Sequence, residues 1–152
     1  MKASYINPFI SSSIHIIETF VQTKPTVGDL KLINVELLDN HIWLEIGIVG
    51  EFEGNVMFGI PEQVALKIVA AMMGGYAVTE MDEMCQSAIS ELGNMISGNA
   101  TTLLYNEGIQ VDITPPSILK GCASDVPLKA VSVPLHIPDI GEFSIHMIVP
   151  GQ

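Results

Sequence analysis

Glu91 and Asn94 stand three residues apart in the run "SAISELGNMISGNA" (87–100), and Ser87 precedes the glutamate by four. On an α-helix these spacings put all three side chains on one face. A carboxamide both donates and accepts hydrogen bonds, so it can hold a water molecule in a set orientation. An ionised carboxylate only accepts, and it draws a cation towards it. The same helix carries Gly93 and Gly98, and each glycine costs about 1 kcal/mol relative to alanine in a helix interior. Gly98 lies one turn beyond Asn94 on the same face and leaves room for another molecule to approach the backbone. Gly93 is compatible with close packing of the helix on a sheet. A Glu-x-x-Asn quartet alone arises by chance in about one chain in three of this length. At this point a solvated helix face remains an adequate explanation.

The helix that must carry these groups extends from about residue 80, where "TEMDEM" opens it, to 106, with Asn106 and Gly108 ending it. With Ser87 set at zero and about 100° per residue, Glu91 falls near about 40° and Asn94 near about −20°. Glu80, Glu83, Gly98, Thr101 and Tyr105 share that sector, whereas Met81, Cys85, Ile89, Leu92, Ile96, Ala100 and Leu103 gather opposite. One side is core; the other faces solvent or a partner.

The remaining elements follow from periodicity and punctuation. Asn7-Pro8 reads as a cap followed by proline at the first helical position, and Phe9, Ile10, Ile14, Ile17 and Val21 recur at helical spacing over about 8–22. Three strands are predicted at Lys31–Leu38, Ile42–Val49 and Gly54–Ile60, with "DN" (39–40) as a tight hairpin turn and "EFEG" joining the second pair. Pro61 starts a second helix that Gly74-Gly75 terminate. After the long helix, "IQVDITPPSILKG" reads as a strand running into a Pro-Pro turn, and "SILKGCASDVP" reads as a loop. "KAVSVPLHI" and "GEFSIHMIV" form a last hairpin around Pro138–Gly141, each alternating apolar and polar residues as half-buried antiparallel strands do. The predicted fold class is α+β: a mostly antiparallel sheet with long helices packed on one face.

The composition narrows the function classes. The chain of 152 residues is 48% hydrophobic and 15% charged, which fits one domain over residues 1–152 and excludes disorder. Six basic residues against 17 acidic ones give a net charge of −11, which argues against nucleic acid and against an anionic membrane surface. Cys85 and Cys122 show no CxxC spacing, and Cys85 on the apolar side of its helix reads as a small buried residue. His15, His41, His136 and His146 never form HxxxH or HExxH, so no metal site is predicted. His136 and His146 fall in strands and read as structural. No basic n-region with an apolar h-region opens the chain, and no apolar run reaches about 18 residues, so the expectation is a cytoplasmic, soluble protein.

Together with "INPFI", "ALKIVAAMMGG" and "VDITPPSILKG", the run around Ser87, Glu91 and Asn94 resembles the CheX branch of the CheC/CheX/FliY chemotaxis phosphatase family, whose pattern is [D/S]-x-x-x-E-x-x-N. The resemblance covers essentially the whole chain. It implies hydrolysis of the aspartyl phosphate of a CheY-type response regulator by a homodimer joined through its sheets. In that frame the catalytic residues are Glu91 and Asn94, and Ser87 and Gly98 contact the partner. Asn94 would align the attacking water, and Glu91 would anchor to the regulator's active-site lysine. The family uses no metal of its own; the Mg²⁺ belongs to the regulator. CheC-like relatives carry two such motifs in duplicated halves. Here the first helix offers Glu18, but Val21 stands three residues later, so no second pair is expected there. The alternative reading is a module that binds response regulators, or joins a signalling assembly, without turnover.

Overall fold

The computed structural model describes residues 3–119 and 128–148. A short 3₁₀ turn, Ala3–Ile6, runs directly into α1 (Asn7–Val21). Asn7 is therefore not the cap: the 3₁₀ turn supplies the lead-in, Ile6 occupies the cap position without a side-chain bond, and Pro8 sits where its missing N–H costs nothing. Gln22, at φ 62°, closes α1 in the left-handed region. The strands β1 (Thr26–Val27), β2 (Lys31–Val35), β3 (His41–Gly50) and β4 (Gly54–Pro61) follow, then α2 (Glu62–Met72) and α3 (Glu83–Asn106). The last elements are β5 (Val111–Ile113), β6 (Ser117–Leu119), β7 (Leu128–Ile137) and β8 (Gly141–Ile148). Cys122 and most of the stretch read as a loop lie outside the described residues.

All strands join one antiparallel sheet in the order β1-β7-β8-β4-β3-β5, with β2 beside β1 on β7 and β6 beside β5 on β3. The hairpin expected around Asp39-Asn40 is not formed. The two residues do turn, but β2 pairs with β7 (Lys31↔Ser132 to Val35↔Leu128), while the free edge of β3 is taken by β5 and β6. Local turn residues fix a change of direction, not the identity of the neighbouring strand. Ser117–Leu119, read as loop, is likewise a strand, held against Trp43–Glu45 of β3.

Alternation along β3, β4, β7 and β8 sends Leu44, Ile46, Phe58, Val133 and Ile145 to one face, where they meet α1, α2 and α3. The other face holds a smaller cluster of Val35, Trp43, Met57 and Ala130. On that face Ser132 and His146 pair at 2.5 Å, and both are buried. Burial pushes the His146 imidazole down to about 4, with a smaller contribution from His41. The lowered pKa favours the neutral ring, whose Nδ1 shares a hydrogen bond with the serine hydroxyl.

Candidate functional site

α3 is the element on which the candidate site depends. Asp82 caps it, its carboxylate accepting from the Cys85 N–H at 2.9 Å. That bond, and after it the Cys85 thiol, hold the Asp82 carboxyl below its usual range. At the far end Gly108, at φ 85°, lets the chain leave as the Ile109 N–H bonds the Leu104 carbonyl at 2.9 Å. Cys85, Ile89, Leu92, Ile96, Ala100 and Leu104 are buried against the sheet and α1. The expected stripe is therefore present, except that Leu104 rather than Leu103 takes its last core position. Met81 precedes the helix and packs at the margin of the core.

Gly93 sits over β3 so closely that a Cβ there would overlap Leu44 Cδ2 and touch Ile46 Cδ1 at 3.7 Å. Its role is contact between helix and sheet. Gly98 has nothing within 4 Å of where a Cβ would stand and is exposed. The two glycines of one helix thus serve opposite faces.

Ser87, Glu91 and Asn94 line one open pocket of about 530 Å³, together with Glu83, Gln86, Ser90, Pro116 and Ile118. All three named residues are exposed, and neither Glu91 nor Asn94 is hydrogen-bonded through its side chain to another described residue. Gly98 lies outside this pocket, one turn along the same face. Gln86 and Ser90 could have been found by widening the helical sector around Glu91. Pro116 and Ile118 could not, because they arrive through the pairing of β6 with β3. Glu83 and Glu91 give the pocket a negative character, and no lysine is among the described residues that line it. Such a surface can offer a water-holding carboxamide and a cation-seeking carboxylate to an incoming molecule. Among the described residues no group of three or more His, Cys, Asp and Glu is placed to hold a metal, and no helix is long and apolar enough to cross a membrane.

The sequence profile of chemotaxis phosphatase CheX matches residues 44–138. The CheY-P phosphatase CheX of Thermotoga maritima is 33% identical over 153 residues, covering 98% of this chain and 97% of the relative. The chain belongs to the CheX family. Its fold agrees with that of the CheC-like superfamily protein from Shewanella sp. PV-4, with a TM-score of 0.83 at 25% identity over 97% of this chain and 98% of the other. A Borrelia burgdorferi structure described as a CheX–CheY–BeF₃–Mg²⁺ complex has a TM-score of 0.79 at 22% identity, covering 97% and 98% of the two chains. As a member of the CheX family, this chain is a phosphatase by family.

The CheX-family fold also shows a repeat that residue patterns did not reveal. α1-β1-β2-β3-β4 and α3-β5-β6-β7-β8 have the same order of a helix, two short strands and two long ones. In the helices Phe9, Ser13 and Ile17 are buried at the spacing of Ile96, Ala100 and Leu104. Ser12 and Asn99, counterparts in this alignment, bond to each other across the two helices at 3.0 Å. The position matching Asn94 is then Asn7, and that matching Glu91 is Ser4, in the 3₁₀ turn. Glu18 and Val21, considered from sequence, lie at the opposite end of α1. A carboxylate is missing from the counterpart position itself.

Proposed function

We propose that this protein hydrolyses the aspartyl phosphate of a CheY-type response regulator, with Asn94 positioning the water and Glu91 anchoring to the regulator's active-site lysine. The observation that carries the reading is the placement of Glu91 and Asn94, exposed and with no side-chain hydrogen bond to another described residue, in one open pocket on a helix fixed by its cap and its core stripe. Ser87 sits at the rim, and Gly98 leaves the helix backbone approachable.

Phosphoryl transfer passes through a loose transition state, so catalysis consists chiefly of positioning and charge stabilisation. The regulator supplies the phosphoryl group, the Mg²⁺ and the lysine. The water oxygen bonds to phosphorus as the bond from phosphorus to the aspartate oxygen breaks. The aspartate leaves as a free carboxylate, and the proton of the water passes to the departing phosphate. Asn94 accepts from or donates to that water and sets its line of attack. Glu91 would be repelled by the phosphoryl group and is drawn to the lysine, which fixes how deeply Asn94 enters.

Residues 1–152 act in this reading as one cytoplasmic domain, paired with a second copy through the sheets. The β1–β2 edge, with Val27, Leu30 and Leu32 exposed, offers the apolar surface for that pairing. The test of the catalytic reading is phosphate release from the phosphorylated regulator with Mg²⁺. Wild type should accelerate release, and Asn94→Ala should lose about a hundredfold of the acceleration while still binding. Binding by both proteins without acceleration would make α3 a docking face and end the phosphatase reading.

A further inference from the structure

The pocket at Glu91 and Asn94 is not closed at its α3 N-terminal end. A second cavity of about 210 Å³ adjoins it, and the two share Gln86 and Ile118. They form one trough that runs from Asn94 past Gln86, about 12 Å along α3, to the start of β3 and α2. Its floor is apolar: Ile42, Met81, Ile118 and Leu119 are all half-buried there. Its rim carries Glu91 and Glu83 in the first cavity, and Asp39 and Glu62 in the second. Asp39 and Glu62 are exposed, and the backbone N–H of Glu62 bonds the Asn40 carbonyl at 2.9 Å, which joins the turn before β3 to the start of α2. Among the described residues that line the two cavities there is no lysine, and His41 there has its pKa lowered by burial.

An apolar floor beneath a carboxylate rim suits one side-chain class. Lysine and arginine have aliphatic stems that cover apolar surface and cationic heads that remain with the rim. A purely acidic patch would need no floor, and a purely apolar groove would not be rimmed by four carboxylates. We propose that the trough seats a lysine- or arginine-bearing segment of the response regulator beside its phosphorylated aspartate, so that Asp39 and Glu62 select the partner at a distance from the chemistry. This rests on the regulator-phosphatase reading above and adds to it a second, specificity-determining contact. It also directs the field of a chain with a net charge of −11 onto one basic segment of the partner.

The experiment uses the full chain and a CheY-type regulator in its beryllofluoride–Mg²⁺ form for binding, and in its phosphorylated form for turnover. The double variant Asp39→Asn/Glu62→Gln removes two exposed rim charges. Glu51→Gln/Glu53→Gln removes two exposed charges at the other end of β3 and controls for net charge. The rim variant should weaken binding and raise KM about threefold to tenfold, leave the rate at saturating regulator as it was, and flatten the salt dependence of binding. The control pair should do none of these. A rim variant whose Kd, KM and salt dependence match those of wild type, or a control pair that weakens binding equally, overturns the proposal. Failure of the catalytic reading shows separately, as wild-type binding without phosphate release, and the Kd series then still decides the trough. If wild type binds no such regulator, both readings fall.

Discussion

Replacing Gly98 and Gly93 by alanine, one at a time, adds the same methyl group twice to one helix and should move stability in opposite directions. At Gly98 the new methyl meets nothing within 4 Å, so only the helix preference changes. The gain is about 0.5–1 kcal/mol, and at this chain length it raises Tm by about 1–4 °C. At Gly93 a similar gain is set against overlap with Leu44 Cδ2. Leu44 is only 1% exposed and packs in the main core, so its side chain has no free direction in which to turn. Overpacking of this kind costs about 1–3 kcal/mol, and overlap with so confined a side chain puts it towards the upper end, which leaves a net loss of about 2 kcal/mol and a Tm lower by about 4–8 °C. Thermal and urea denaturation followed by circular dichroism read both. A Gly93→Ala protein as stable as wild type would mean that α3 does not bear on β3 at that point. The seating of Asn94, the next residue, would then have to be argued from something other than helix–sheet contact.

The buried His146 makes a pH prediction. Its folded pKa of about 4 lies below the ordinary 6.5, so between those values the unfolded chain binds the proton and the folded chain does not. Stability should therefore be complete above 6.5 and fall as pH drops towards about 4, at no more than about 1.4 kcal/mol per pH unit. Urea midpoints across that window should show the slope, and His146→Gln should flatten it; an unchanged slope would acquit the histidine. For the sheet edge, Leu32→Glu should convert a sedimenting dimer to monomer with the fold intact by circular dichroism. A dimer that persists would place the contact elsewhere.

Much of this could be read from residue order. The long strands alternate, α2 opens after Pro61 and α3 on the Asp82 cap, both meet glycine stops, and the Glu91–Asn94 face follows from spacing alone. What escaped was non-local. β1 and β6 are two and three residues long, too short to show a period, and exist because β7 and β3 offer them an edge. The Asp39-Asn40 turn suggested the nearest strand as partner, and the chain uses a distant one. The pocket wall at Pro116 and Ile118 escaped for the same reason. The repeat is hidden because core positions conserve a packing role rather than a residue: Phe9 answers Ile96, and Ser13 answers Ala100.

That repeat has a mechanical consequence. Each half lends its two short strands to the other: β1 and β2 lie on β7, and β5 and β6 lie on β3. The central seam, β4 on β8, also joins the halves, as does the crossing of α1 and α3. A half cut out of this chain would have unmatched edges and an uncovered helix face, although it contains a helix and a hairpin. The molecule is thus clasped rather than merely doubled, and it should open as a unit. Amide exchange in β4, β8 and α3 should then report one common opening free energy, with no state in which one half stays shut while the other unfolds.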